Sequence, residues 1–335
     1  MILNSVRMIL MPNGTPATRR PAVRLITRAG ALALAATSLT GCAAFSDSGP
    51  SPDGSGKVSV VAAFYPLEFV SSRVGGAHVS ITDLTAPGAE PHDLELSVKE
   101  TAEVSKADLV VYEKGFQAQV DAAVDQSDAP TVDAGAAAGL EKVGHDGHDH
   151  EGGSTHGEST GLGDLDPHFW QDPLKMAAVA DTVADELATI DPAHADDYRA
   201  NAAQLRADLE ALDQEYAAGL TGCARSTVVV SHDAFGYLSR YGLEFESIAG
   251  LSPDAEPTPA DLARLQALIT TDGITTVFGE RLASPKMAQT LADDMGVSME
   301  VLDPIEGLDS DTADEDYLSL MKQNLAALQE ANQCQ

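Results

Sequence analysis

Short apolar, β-branched runs recur along this 335-residue chain with helical stretches between them, in two series separated by a long amphipathic segment. In the first series residues 58–64 form such a run, 78–84 alternate in the strand manner and 107–112 read as a buried strand, with helical stretches at 65–74 and 97–105. In the second, strands are predicted at 226–230, 243–248, 274–278 and 297–302, and helices at 259–271, 284–295 and 316–331. Strands that take turns with helices are parallel, because each helix carries the chain back to the start of the next strand. Between the series, Pro173 opens a helix over 172–190 with Met176, Val179, Val183 and Leu187 on one face. A second helix, 193–220, has Tyr198, Leu205, Leu209, Leu212 and Tyr216 at helical spacing. At about 1.5 Å per residue it runs roughly 40 Å, longer than one lobe needs. The fold class is therefore α/β: a two-lobed sandwich, each lobe a mainly parallel sheet flanked by helices, joined by one long bridging helix. The boundaries read as an N-terminal lobe at 57–190, the bridge at 191–220 and a C-terminal lobe at 221–335.

In open α/β sheets ligands bind beyond the carboxyl ends of the strands, where loops from separate units meet. His92 follows the strand ending near Leu84, His232 follows Val230 with one residue between, and Asp303 follows Leu302 directly. His168 lies in Asp-Pro-His-Phe-Trp, where Pro167, Phe169 and Trp170, the only tryptophan, supply rigidity and a dry wall. Each histidine alone reads as an ordinary structural residue. As a set at corresponding loop positions, His92, His168, His232 and Asp303 read as one metal site between the lobes. Neutral imidazoles with a carboxylate suit a borderline divalent cation such as zinc. Glu280, just past the strand 274–278, reads either as a helper that hydrogen-bonds a ligand or as a solvated strand-end acid. A second histidine group, His145, His148, His150 and His156, alternates with acid and glycine inside 144–163, a tract expected to form a long mobile loop that binds metals loosely.

The start of the chain stands apart from the fold. Five arginines precede an apolar stretch, 29–40, too short to span a bilayer as a stable helix, so 1–41 reads as a secretory signal. It ends in Leu39-Thr40-Gly41-Cys42, which resembles the lipobox of bacterial lipoproteins and implies cleavage before Cys42 and a lipid on its sulfur. The alternative is that Cys42 is an ordinary small residue after a cleaved signal. Residues 42–56, rich in Ser, Gly, Pro and Asp, then form a flexible tether. With Cys42 so assigned, Cys223 and Cys334 remain as a pair in an exported protein, where disulfides persist; two free thiols are the alternative. The formal charge is −32, and without the signal arginines 15 basic residues face 52 acidic ones, a formal −37. Phosphates are repelled by such a surface, which excludes nucleic acid as a partner class.

Several segments in order carry a family resemblance: Gly88-Ala-Glu-Pro-His92-Asp, Asp166-Pro-His168-Phe-Trp170, Ser231-His232-Asp-Ala-Phe235-Gly-Tyr-Leu, Tyr241-Gly-Leu243, Gly250-Leu-Ser-Pro253 with Glu256-Pro257, and Leu302-Asp303-Pro304. In these the chain resembles the solute-binding lipoproteins of ABC metal importers, in the zinc-uptake, ZnuA-like branch, from Lys57 to Cys334. The resemblance implies two lobes on one rigid helix, a monomer anchored to the outer face of the cytoplasmic membrane, and delivery of zinc to an ABC-transporter permease. It implies His92, His168, His232 and Asp303 as ligands, with Glu306 or water as the alternative for the fourth. Manganese-binding relatives commonly carry a carboxylate where His232 stands, so the third imidazole implies zinc. The loop bearing His145 to His156 is similar to the His-rich loop of zinc-branch members, to which metal capture or sensing is ascribed.

Two other classes compete. A metallohydrolase would use a similar donor set with an open position, but no His-Glu-x-x-His helix and no clear general base accompany the ligands. A surface adhesin with structural zinc does not account for ligands drawn from both lobes. Manganese, iron or copper transport is the runner-up within the first class, and no enzymatic activity is expected.

Overall fold

The computed structural model describes residues 56–142 and 162–335. The signal 1–41, the lipidation site Cys42, all but the last residue of the tether, and His145, His148, His150 and His156 lie outside the described residues.

Strands β1 (Val58–Ala62), β2 (Val79–Asp83), β3 (Leu109–Tyr112) and β4 (Thr131–Asp133) form a parallel sheet in the order β2-β1-β3-β4. Strands β5 (Thr227–Val230), β6 (Glu244–Ser247), β7 (Thr276–Gly279) and β8 (Ser298–Val301) repeat the plan as β6-β5-β7-β8, again parallel. The helices are α1 (Tyr65–Gly75), α2 (Val98–Val104), α3 (Ala118–Val124), α4 (Ala134–Ala138), α5 (Pro173–Ile190), α6 (Ala195–Gly219), α7 (Pro259–Asp272), α8 (Lys286–Met295) and α9 (Tyr317–Asn332). In each sheet the strand order reverses beside the first strand, between β1 and β3 and between β5 and β7. Loops leave in opposite directions at such a point and open a crevice at the carboxyl ends.

Central strands are buried on both faces, as covered parallel sheets require. The run Thr-Val-Val-Val of β5 shows why: Val228 and Val230 enter the main core, while Val229 faces a second cluster with Leu265 and Ile269 of α7 and Leu291 of α8. The main core passes through both lobes, from Val60 and Phe64 past Leu205 and Tyr216 to Tyr317 and Leu328. Helix α5 buries Met176, Val179, Val183 and Leu187 along one stripe, with Asp172 capping it by accepting from Leu174 N.

Helix α6 has 25 residues, about 37 Å at ~1.5 Å each. Its first half holds α1, where Asn201 Nδ2 donates to Val74 O at 2.9 Å and Arg73 pairs with Asp208 at 2.6 Å. Its second half holds the C-terminal lobe, where Tyr216 OH donates to Met321 O at 2.6 Å and Tyr241 OH to Asp213 at 2.8 Å. The long helix thus starts at Ala195, after a 3-10 turn over Pro192–His194, two residues later than the 193 read from the sequence. Strand β4 and helices α3 and α4 had no sequence signal. They are three to seven residues long, and β4 exists through pairing with β3 and burial of Val132.

A disulfide joins Cys223 to Cys334, 111 residues apart, tying the end of α9 to the segment after α6. Closing so long a loop restricts the unfolded chain. Replacing both cysteines with alanine is expected to lower the unfolding free energy by roughly 2–5 kcal/mol, read as a lower denaturant midpoint. An unchanged midpoint would show that the crosslink contributes nothing to stability.

Candidate metal centre

The turn that delivers His92 is tied down from behind. Thr85 Oγ1 donates to Ala63 O at 2.8 Å, and the buried amide of Gln117 donates to Pro91 O at 3.1 Å and Thr85 Oγ1 at 3.2 Å. Phe116 packs edge-on to the His92 ring, and Trp170 packs against Phe64, Phe116 and the His168 ring. These aromatics form a dry wall at the crevice of the first sheet.

His168 is set by Asp166, whose Oδ1 accepts from His168 N at 2.9 Å and faces Nδ1 at 2.8 Å. His232, two residues past β5, has Nδ1 2.9 Å from Oε2 of Glu280, the first residue past β7. Ligand and helper therefore come from opposite sides of the second sheet's switch point. A carboxylate on Nδ1 fixes the ring and turns Nε2 toward a metal. The Nε2 atoms of His168 and His232 are buried with no protein hydrogen-bond partner.

The fourth group is Glu306. Its Oε1 lies 3.3 Å from Nε2 of His92, 3.5 Å from that of His168 and 3.4 Å from that of His232. Those spacings are long for hydrogen bonds. They match the edge of a tetrahedron about an ion with bonds of ~2.0–2.1 Å, which is about 3.3–3.4 Å. One side-chain nitrogen or oxygen from each of His92, His168, His232 and Glu306 lies within 4.8 Å of the others, close enough to hold one ion. The side chains of His168, His232 and Glu306 are at most 1% exposed, while His92 is 6% exposed and stands nearest solvent.

Asp303, the expected fourth ligand, does not join them. Its Oδ1 accepts from Ile305 N at 2.8 Å, and its Oδ2 lies 3.0 Å from Arg281 Nε. Its backbone is clasped by Asn324 of α9, which accepts from Asp303 N at 2.9 Å and donates to Asp303 O at 2.6 Å. The short aspartate thus closes a turn. Ile305 then takes φ 61°, a left-handed conformation rare for a β-branched residue, and the chain presents Glu306, which the sequence allowed as the alternative. Trp170 Nε1 at 2.8 Å and Gln171 Nε2 at 2.5 Å both donate to Pro304 O, so the Glu306 segment is fastened to the His168 segment. Asp166 as the orienting group for His168 was missed, although an aspartate two residues before a histidine and followed by proline is a visible turn signal.

Burial alone would drive His232 toward neutrality, but the carboxylates of Glu280 and Glu306, one facing each ring nitrogen, overcome it and push its pKa up to about 10. His168 follows the same pattern: burial lowers it, and Asp166 and Glu306 raise it above the usual imidazole value. Burial would raise Glu306, yet the three imidazoles hold it well below the usual carboxylate range. The pocket is built for positive charge, with three nitrogens and one oxygen converging in the manner of a borderline divalent ion's shell.

Residues 60–331 match the ZnuA family, described as zinc-uptake complex component A, periplasmic. The chain belongs to the ZnuA family. Among curated ZnuA-like relatives, it is 36% identical over 279 residues to the zinc-binding lipoprotein AdcA of Streptococcus pneumoniae TIGR4, covering 82% of this chain. The match spans only 56% of that relative's length. It is 31% identical over 297 residues to the high-affinity zinc uptake system protein ZnuA of Bacillus subtilis 168, covering 87% of this chain and 92% of the relative. Solved structures agree. Zn(II)-bound AdcA from S. pneumoniae superposes with TM-score 0.69 at 32% identity over 83% of this chain and 58% of the other. The laminin-binding protein Lmb of Streptococcus agalactiae, described as bifunctional with adhesin and metal-transporting activity, superposes with TM-score 0.72 at 29% identity over 82% and 99%.

Within this ZnuA-family site the two carboxylates of 302–306 are expected to separate by role. Glu306→Gln should weaken divalent-ion binding more than Asp303→Asn in a competition titration against a chromogenic chelator, and Glu280→Gln should cost about 10–100-fold. Greater loss from Asp303→Asn would reverse the ligand assignment.

Proposed function

We propose that the protein captures zinc outside the cytoplasmic membrane and delivers it to an ABC permease for import. The observation that carries this reading is the convergence of three imidazole Nε2 atoms on one carboxylate oxygen at 3.3–3.5 Å. Zinc is favoured over manganese because three nitrogen donors suit a borderline ion better than a hard one. Support also comes from the zinc-binding and zinc-uptake names of ZnuA-family relatives. His92, His168, His232 and Glu306 are read as the ligands, with Asp166 and Glu280 orienting two of the rings.

A closed protein shell argues against a hydrolase, since catalytic zinc keeps a position for water. No helix among the described residues is long and apolar enough to cross a membrane. Attachment is read from the lipobox-like Leu39-Thr40-Gly41-Cys42. Adhesion, ascribed to the neighbour Lmb, would use the outer surface and leaves the reading of the cleft unchanged.

Competitive titration with zinc tests the assignment. His92→Ala and His168→Ala are each expected to bind far more weakly than a variant lacking 144–163. Equal affinities would remove the cleft as the primary site.

Zinc must also displace protons. Because Glu280 and Glu306 raise His232 to about 10, that ring is protonated at neutral pH, so the ion's apparent affinity falls as pH falls. The dependence persists above pH 7, where a free imidazole near 6.5 has already lost its proton. Calorimetry at pH 8 in buffers of different ionisation enthalpy should show about one proton or more released per zinc. No release would contradict this charge state.

A further inference from the structure

The lip of the site holds a carboxylate that the four-ligand shell does not use. Glu90 Oε1 lies 3.9 Å from His92 Nε2, the same nitrogen that faces Glu306 Oε1 at 3.3 Å from the inner side. Exposure falls along this line, from 20% for the Glu90 side chain to 6% for His92 and 1% for Glu306. The loop is held in place there. Gly88 N donates to Leu308 O at 2.7 Å, and Gly307 sits so close that an added Cβ would meet Leu282 Cδ1 at 3.1 Å and Ala89 O at 3.6 Å. Glu90 also caps its own turn, Oε1 accepting from His92 N at 3.0 Å and Oε2 from Asp93 N at 3.3 Å, so its head is fixed at the mouth.

Two ligands on one tetrahedral ion with bonds of ~2.05 Å stand about 3.3–3.4 Å apart. Glu90 and His92, at 3.9 Å, have to close by roughly half an ångström to share one. Glu90 is too far out to complete the inner tetrahedron, and it is absent from the group of atoms that lie within 4.8 Å of one another. We propose that Glu90 is a gateway carboxylate, a transient ligand that takes the cation from solvent together with His92 and passes it inward to Glu306, and receives it again on the way out. The inference rests on the reading of the cluster as a zinc site.

A group bound only in passing lowers the barrier in both directions and leaves the end states alone. Association and dissociation therefore change together. Glu90→Gln removes the charge and keeps an oxygen for His92 N. Stopped-flow mixing with zinc, and displacement by excess chelator, should show both rates falling by about fivefold or more with the dissociation constant within about twofold of wild type. Glu95→Gln, an exposed acid three residues beyond His92, controls for diffuse attraction and should leave both rates near wild type.

Wild-type rates in Glu90→Gln would overturn the proposal. So would faster dissociation with weakened binding, which would mark Glu90 as a turn cap only, or equal slowing by Glu95→Gln, which would assign the effect to overall charge. If the wild-type protein binds no zinc, the reading of the site itself fails. If wild type binds and only the Glu90 results disagree, the gateway alone is lost.

Discussion

The carboxylate of Glu306, buried among three imidazoles, is the interaction on which the rest of the site depends. An ionised carboxylate at this depth costs several kcal/mol unless it is paired. Here it faces three imidazoles, two of them backed by Asp166 and Glu280, and they hold it well below the usual carboxylate range. In the proposed function a divalent cation takes the place of the protons on those rings.

Convergence follows from using one plan twice. Both sheets place their first strand beside the reversal of strand order, and both direct side chains from the carboxyl ends into the crevice. In the second lobe the two sides of the reversal supply His232 and Glu280, which meet at 2.9 Å. In the first lobe Phe64, two residues past β1, and Phe116, four past β3, pack against Trp170 and wall the site. One lobe thus contributes more of the polar machinery and the other more of the dry surface. Low polarity on that side strengthens every charge interaction opposite it.

The placement of the three histidines could be read from the sequence because each stands at a punctuated strand end or proline turn, features set by local chemistry. The identity of the carboxylate could not. Asp303 follows its strand directly, as a ligand should, and only the left-handed Ile305 diverts it into a turn and advances Glu306 by three residues. Nothing in an isoleucine announces positive φ; Asn324, Trp170 and Gln171 impose it from 21 to 134 residues away in sequence, through bonds to residues 303 and 304. The alternation of strands and helices was likewise legible in the second lobe, where each element is four residues or longer. In the first lobe β4 and its flanking helices are short, alanine-rich and stabilised by neighbours. Local propensity carries little signal in such pieces.

The distribution of the core bears on how an ion can leave. Leu205, Leu209, Leu212 and Tyr216 of α6 belong to the same cluster as α1 and α5 on one side and Tyr317, Leu320 and Leu328 of α9 on the other. Separating the lobes as rigid bodies about this helix would expose several fully buried side chains, each worth about 1.5–3 kcal/mol. The two loops are fastened at their bases, by Gln117 to Pro91 O and by Trp170, Gln171 and Asn324 to residues 303 and 304, and are joined to each other more lightly. Across the mouth, Gly88 N to Leu308 O is a single hydrogen bond, worth about 0.5–1.5 kcal/mol net. Parting Gly88 from Leu308 while 91 and 303–304 stay fastened therefore costs less than a hinge through the bridge, and it would uncover His92, the most exposed of the four groups, first.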